Sequence, residues 1–244
     1  MYGLIGKKLG HSFSADFFNA KFKKEGIENE YRLFPIASID EFPKLLEENP
    51  DIQGLNVTIP YKQQILPYLT SLSPEAKEIG AVNVIKFVRN REGLVLIGYN
   101  SDSIGFTDSL VPLLTSEMGN ALVLGTGGAS KAVVYALQKL GIKVALVSRT
   151  PGAGILGYND LSEEIVKNNQ IIVNTTPLGM YPDIENIPPF PYRFLDSRHL
   201  CYDLIYNPAD TSFMKEAAKH GAKVKNGLEM LHLQAIAAWN IWNS

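Results

Sequence analysis

Ala121-Leu-Val-Leu-Gly-Thr-Gly-Gly-Ala-Ser130 decides how this chain is read. Four small or aliphatic residues run without interruption, as in a strand buried on both faces. Glycines then crowd a turn. Beyond it Ala132, Val133, Ala136, Leu137 and Leu140 recur at helical spacing, Gly141 ends the run, and Lys143-Val-Ala-Leu-Val147 reads as the next strand. Strand, glycine turn, helix and strand make one βαβ unit, close to the ~30 residues such a unit occupies.

That geometry carries a chemistry. Glycine lets the backbone turn tightly and approach a phosphate with no Cβ in the way. The helix that follows aims its free N–H groups and positive dipole end at the same point. A dinucleotide pyrophosphate fits there, over Gly125, Thr126, Gly127, Gly128, Ala129 and Ser130. The pattern departs from a strict Gly-x-Gly-x-x-Gly at its last position, where Ser130 is still small enough for close helix–strand packing. The bland alternative is an ordinary βα turn; the flanking strand and helix favour the nucleotide. An acidic residue at the end of the second strand would bind a ribose 2′-hydroxyl. Here stands Ser148-Arg149-Thr150. An arginine pairs with a 2′-phosphate, so NADP(H) is expected over NAD, the alternative for Arg149 being a solvated strand end.

Composition narrows the classes. With 244 residues, the chain is one large domain or two small ones. A net charge of −2 with no basic block argues against nucleic acid or an anionic membrane as the main partner. No apolar run reaches transmembrane length, and Met1-Tyr-Gly-Leu-Ile-Gly-Lys7 has no signal-peptide pattern. The single cysteine, Cys201, excludes an internal disulfide and reads as a buried strand residue. These features lead to the expectation of a cytoplasmic enzyme. His11, His199, His220 and His232 show no ligand spacing, so no metal is expected and each reads as structural or exposed.

Strand and helix patterns alternate along the whole chain, so the class is α/β. A mixed α/β domain is expected over residues 1–103, and a doubly wound, Rossmann-type nucleotide domain over residues 104–226. The closing helical stretch, residues 227–244, is expected to return to the first domain. Within the first part, Ser14 is expected to N-cap a helix on which Phe18 and Phe22 share a face, Asp40 to cap a second helix through Glu48, and residues 31–36 and 52–59 to form strands. Pro112 is expected to bend or shorten a helix that starts at Asp102 or Ser103. Only about 23 residues separate Val147 from Ile171, too few for two further βα units, so most of one unit after Thr150 is expected to be missing.

Several polar residues sit in apolar surroundings. Asn56 and Thr58 share a strand face by the two-residue period, and Lys62 follows the stop at Pro60. Asn83 within Ala-Val-Asn-Val-Ile and Gln234 on the apolar last helix both need buried partners. Taken singly, Lys62 reads as solvated, Asp102 as a helix cap, and Ser12 and Ser14 as loop residues.

Together these residues resemble the shikimate dehydrogenase family over nearly the full chain. The likeness rests on Gly10-His-Ser12-Phe-Ser14, Asn56-Val-Thr-Ile-Pro-Tyr-Lys62, Gly80-Ala-Val-Asn83, Gly98-Tyr-Asn-Ser-Asp102, the glycine turn 125–130, Ser148-Arg-Thr150, Tyr202-Asp-Leu-Ile-Tyr206-Asn-Pro and Asn226-Gly-Leu-Glu-Met-Leu-His-Leu-Gln234. The Asn-Val-Thr-x-Pro-x-Lys stretch with the later Asn-Ser-Asp is specific; the glycine turn alone is not.

The resemblance implies a two-domain enzyme that reduces 3-dehydroshikimate to shikimate with NADPH, in the chorismate route to the aromatic amino acids. It places the substrate on Ser12, Ser14, Thr58, Lys62, Asn83, Asp102, Tyr206 and Gln234, with Lys62 and Asp102 as the catalytic pair. It places the cofactor on residues 125–130, with Ser148, Arg149 and Thr150 at the 2′-phosphate end and Met180 and Gly227 near the nicotinamide. A monomer or homodimer is expected, with no nucleic-acid or membrane partner. The chain departs from the family pattern in two places: Ala15-Asp16 stands where proline is usual, and no second basic residue follows Arg149, which predicts a weaker cofactor KM. Rival readings are a quinate/shikimate dehydrogenase using NAD and a non-catalytic sensor of shikimate-type ligands.

Overall fold

The computed structural model describes residues 1–10, 12–91 and 93–244, so His11 lies outside the described residues. The chain divides into two compact units, Met1–Ser101 with Gln234–Ser244, and Asp102–Leu233. The first border falls just ahead of the expected one. The second corrects the expectation: it falls inside the last helix, not before it at Gly227. Early in that helix Met230 packs in the core of the second unit, whereas Ala235, Ala238 and Trp242 pack in a core of the first.

The first unit runs β1 (Tyr2–Gly6), α1 (Phe13–Glu25), β2 (Tyr31–Pro35), α2 (Phe42–Glu48), β3 (Gly54–Val57), β4 (Ser71–Leu72), α3 (Pro74–Ile79), β5 (Val84–Asn90) and β6 (Gly93–Tyr99). Its strands form a six-stranded sheet in the order β2-β1-β3-β5-β6-β4. β1 runs parallel to β2 and β3, while β5 runs antiparallel to β3 and β6. The two-residue period sends neighbouring side chains to opposite faces. Thus Ile5 and Ile85 join Phe42, Leu55, Val57 and Ile65 in one core, while Leu4 and Val84 join Phe18, Phe22, Tyr31 and Trp242 in the other.

Local differences from the sequence reading have local causes. Helix α1 starts at Phe13 with Ser12 as its extended N-cap, so Ser14 lies inside the first turn and is released from capping. Ser38, not Asp40, opens the following helical stretch: it forms a reciprocal capping box with Glu41, a one-turn 3₁₀ helix that leads into α2. β3 is shorter than residues 52–59, because its ladder to β5 ends near Asn56. Pro112 shortens its helix, as one of the two expected outcomes: the α-helix ends at Leu110 and Pro112 sits in the one-turn 3₁₀ helix Val111–Leu113.

The second unit runs α4 (Asp102–Leu110), β7 (Asn120–Leu124), α5 (Gly128–Lys139), β8 (Lys143–Ser148), β9 (Ile155–Gly157), α6 (Glu163–Lys167), β10 (Ile171–Asn174), β11 (Leu200–Asp203), α7 (Ser212–Lys219), β12 (Lys223–Lys225) and the start of α8 (Leu228–Asn243), whose remainder from Gln234 belongs to the first unit. Every neighbouring pair in its sheet is parallel. The order β12-β11-β10-β7-β8-β9 is the doubly wound 3-2-1-4-5-6 arrangement read from its far edge. The core strands β7, β10 and β11 are almost wholly buried, as their unbroken apolar runs require. Cys201 is a free, buried thiol within β11, and burial pushes it well above the ordinary thiol range. Among the described residues no helix is long and apolar enough to cross a membrane.

The expected loss after Thr150 is a loss of the helix alone. Strand β9 is present and pairs parallel with β8, Ser148 opposite Gly157. Parallel neighbours normally need a crossover of a dozen or more residues. Here residues 149–154 suffice, closed by paired bonds between Gly152 and Ile155, with Gly154 in the left-handed region at φ 75°.

At the carboxyl ends of β10 and β11 a buried carboxylate ties two loops down. Asp203 accepts from Asn174 Nδ2 (3.1 Å), from the Ile205 N–H (3.0 Å) and from Thr211 Oγ1 (2.7 Å). Asn174 in turn accepts from the backbone and hydroxyl of Thr176. Burial nevertheless outweighs these bonds and pushes the Asp203 carboxyl up to about 6.

Two stability measurements follow from this packing. Trp242 is buried, donates Nε1–H to the Ile85 carbonyl at 3.1 Å and lies 4.7 Å from the Tyr2 ring. Trp242→Ala is expected to cost about 3–5 kcal/mol in denaturant unfolding. Asp203 holds its proton more tightly folded than unfolded, so its contribution to stability is complete below the unfolded carboxyl value and is lost as pH rises through about 6. Unfolding free energies of wild type and Asp203→Asn, compared from pH 4 to pH 7, are expected to shift steadily against the wild type as pH rises; a constant difference would refute the assignment.

Candidate active site

In the first unit the expected substrate residues gather at one end of the sheet. β1 and β3 reach that end with their carboxyl termini, and antiparallel β5 starts there while β6 finishes there. Ser12 and Ser14 follow β1 at the start of α1, Thr58 and Lys62 follow β3, Asn83 precedes β5, and Ser101 follows β6. Backbone bonds lock these segments side by side. Thr58 N–H donates to the Ile5 carbonyl (2.9 Å), Val82 N–H to that of Lys62 (2.7 Å) and Asn83 N–H to that of Tyr99 (3.1 Å).

The buried side chains meet the demand that polar atoms in a core be paired. Asn83 Nδ2 donates to Ser101 Oγ (3.0 Å), and its Oδ1 accepts from the Ser101 N–H (2.7 Å). Ser101 Oγ lies 3.3 Å from Gln234 Oε1, on the part of α8 that belongs to this unit. Asn56 Nδ2 donates to the Asn83 carbonyl (3.1 Å), and its Oδ1 accepts from the Tyr31 hydroxyl (2.7 Å). Burial pushes that hydroxyl well above the ordinary phenol range. Asn83 and Gln234, expected separately from sequence, therefore belong to one connected array. Lys62 is half-buried in the turn after β3.

Two expected residues of the substrate set, Asp102 and Tyr206, lie in the second unit. Asp102 is buried as the first residue of α4, next in the chain to Ser101. Tyr206 is partly exposed in the loop after β11.

The expected cofactor residues cluster at the carboxyl ends of the second sheet, where open α/β sheets bind their ligands. Gly125 follows β7 at φ 109°, and a Cβ there would stand 2.7 Å from Thr175 Oγ1. Only glycine meets both conditions. Gly127 is the N-cap of α5, with open space where its Cβ would be, and Ser130 returns its hydroxyl to the Gly127 carbonyl at 2.6 Å. The start of the helix is thus clear of side chains, as an approaching phosphate requires, so the residues present fit a dinucleotide. Gly227 sits against β11 so closely that a Cβ would overlap the Leu204 carbonyl, and its N–H donates to the Ile205 carbonyl. Tyr181 N–H donates to the Asn207 carbonyl, which brings the exposed Met180 loop beside Tyr206.

Arg149 and Thr150 are exposed just past β8. Because Ser148 pairs with Gly157, Arg149 and Tyr158 leave adjacent strands side by side. Burial raises the Tyr158 hydroxyl and the Arg149 charge partly offsets it, a mark of their proximity. Sequence reasoning missed Tyr158, since three residues of β9 show no period. It also missed Tyr31, whose strand was visible but whose hydroxyl contacts were not.

Comparison with known proteins agrees with this arrangement. Residues 4–85 match the family model described as the shikimate dehydrogenase substrate binding domain. A shikimate dehydrogenase (NADP(+)) of Aquifex aeolicus is 40% identical over 253 residues, covering 100% of this chain and 91% of that protein. One of Clostridium beijerinckii is 42% identical, covering 99% and 91%. The crystal structure of the Thermus thermophilus shikimate 5-dehydrogenase in complex with NADP(H) and shikimate superposes with a TM-score of 0.85 at 32% identity, covering 99% of this chain and 92% of that one. With two sheets of this topology, and with relatives this similar along its whole length, the chain belongs to the shikimate dehydrogenase family.

Proposed function

We propose that this protein is an NADP-dependent oxidoreductase that interconverts 3-dehydroshikimate and shikimate. The observation that carries the reading is the paired polar array at one end of the first sheet, in a chain whose second sheet opens a clear helix start at Gly127. A polyhydroxy ring acid offers a carboxylate and several hydroxyls. Ser12, Ser14, Thr58, Asn83, Tyr206 and Gln234 supply hydroxyls and amides of matching kind. A wrong ligand would leave such groups unpaired, at about 1–3 kcal/mol each.

Reduction needs a hydride at the carbonyl carbon and a proton at its oxygen. NADPH supplies the hydride when bound. In this proposal the Lys62 ammonium donates the proton and stabilises the negative charge that grows on the oxygen. Asp102 orients that ammonium. Arg149, with Ser148 and Thr150, holds the 2′-phosphate, while residues 125–130 hold the pyrophosphate and Met180 and Gly227 border the nicotinamide. A cytoplasmic place in chorismate and aromatic amino acid biosynthesis completes the reading. The helix-free crossover leaves Arg149 as the cation of that strand end, which supports the expectation of a weaker cofactor KM.

An NADP-linked absorbance assay with shikimate tests the activity itself. Lys62→Ala is expected to lower kcat by roughly 10²–10⁴-fold, the range for a lost general acid. Turnover within about tenfold of wild type would remove Lys62 from the proton-donor role. Arg149→Ala is expected to raise the KM for NADPH by about 10–100-fold, as for a charge-assisted contact worth ~1.5–3 kcal/mol, and to leave the KM for NADH unchanged. Equal effects on both cofactors would show that Arg149 does not read the phosphate.

A further inference from the structure

We propose that Asp203 is a positioning residue for the reaction: by holding Ile205 it sets the loop after β11 on which Tyr206 stands and against which Gly227 rests. The inference rests on the reading of Tyr206 as a substrate contact and of Gly227 as a border of the nicotinamide. Asp203 stands three residues ahead of Tyr206 and has no part of its own in that reading.

The loop is a meeting point. Its first N–H, that of Leu204, donates to the Asn174 carbonyl at 3.0 Å, and the next, that of Ile205, donates to Asp203 Oδ1 at 3.0 Å. From the β12 side, the Ile205 carbonyl accepts from the Gly227 N–H (3.0 Å) and the Ala209 carbonyl from Asn226 Nδ2 (3.0 Å). From the β10 side, Tyr181 N–H donates to the Asn207 carbonyl (3.2 Å). Ile205 is therefore held at its N–H by the carboxylate and at its carbonyl by Gly227. Tyr206 is 39% exposed, so packing does little to place it, and the anchored residue before it does more.

A carboxylate is the group that answers all of its neighbours here. Thr176 N–H can only donate, and it donates to Asn174 Oδ1 (3.0 Å), so Asn174 presents its Nδ2–H to Asp203 Oδ1 (3.1 Å). Met214 N–H donates to Thr211 Oγ1 (3.2 Å), which leaves the Thr211 proton for Asp203 Oδ2 (2.7 Å). With the Ile205 N–H, three donors converge on Asp203, and a group with acceptors only satisfies them all. Fixed from β10 by Asn174 and from the start of α7 by Thr211, the carboxylate has one place in which to meet Ile205. The loop is thus shaped before a ligand arrives, and the entropy of ordering it does not weigh against binding.

The test is kinetic, run above the carboxyl's value of about 6, where Asp203 is ionised. Wild-type oxidation of shikimate is measured first: its absence removes the proposed function and the role of Asp203 together. With wild-type turnover established, Asp203→Ala is expected to raise the KM for shikimate about tenfold, the scale of one lost hydrogen bond, and to leave the KM for NADP within about threefold. Loss of fold alone would shrink the active fraction and so lower kcat, with both KM values unchanged. Asp203→Asn keeps an oxygen for Ile205 and Asn174 and is expected to bring the shikimate KM back to within about threefold of wild type. Should Asp203→Ala not fold, Asp203→Glu, which keeps the charge but carries it one methylene further from the backbone, is read in its place with the same expected rise. An unchanged shikimate KM, an equal rise in both KM values, an Asp203→Asn variant no better than the disruptive one, or failure of both Asp203→Ala and Asp203→Glu to fold would each overturn the proposal, the last by showing the carboxylate to be structural only.

Discussion

A side-chain amide buried in a protein core must find a partner for its donors and its acceptor or destabilise the fold, and the first unit is arranged around one that does. Asn83 sits 3% exposed between two strands, bonded through both side-chain ends to Ser101 and through its carbonyl to Asn56. To satisfy it, the chain must bring together the end of β3, the start of β5 and the end of β6. Tyr31 and Gln234 then close the array from an edge strand and from the last helix. A fully paired network of this kind specifies one arrangement of its segments, because each alternative strands a polar atom in a low-dielectric interior.

The second unit solves a different problem by a different route. An all-parallel sheet carries its strand ends, and the loops that follow them, to one edge. Gly125, Arg149, Met180, Tyr206 and Gly227 lie on five separate loops yet share that edge. Asn174 and Asp203 hold two of the loops from below at the cost of a carboxylate that burial makes reluctant to ionise. The six-residue crossover between β8 and β9 is the economy of this unit: it keeps a strand for the sheet and gives up the helix that would normally cover it. Its functional side is that Arg149 emerges next to Tyr158 and not at the start of a helix.

Much of this was legible in the residues, and the reasons are physical. The βαβ unit is local: its strand, turn and helix each leave a period or a glycine in the sequence, so β7, α5 and β8 were read nearly to the residue. Phe18 and Phe22 were read as one face because helical spacing needs no distant partner. β9 went unread because three residues have no period, and parallel pairing across six residues runs against the usual crossover length. Ser14 was misread as a cap because a helix start shifts easily by one or two positions. Asn83 and Gln234 were recognised as polar residues in need of partners, but nothing in the sequence named Ser101 as the partner of both, nor brought Tyr31 into the set.

The amino-acid sequence by itself determined the alternation of strands and helices, the glycine turn with its cofactor class, and which polar residues would be buried. These follow from spacing and residue type within a few turns of chain. Tertiary structure decided which of those residues meet, where the last helix passes from one unit to the other, and how Arg149 and Tyr158 become neighbours. Such outcomes depend on pairings between segments tens of residues apart, and side-chain hydrogen bonds between distant segments leave no periodic trace in the chain.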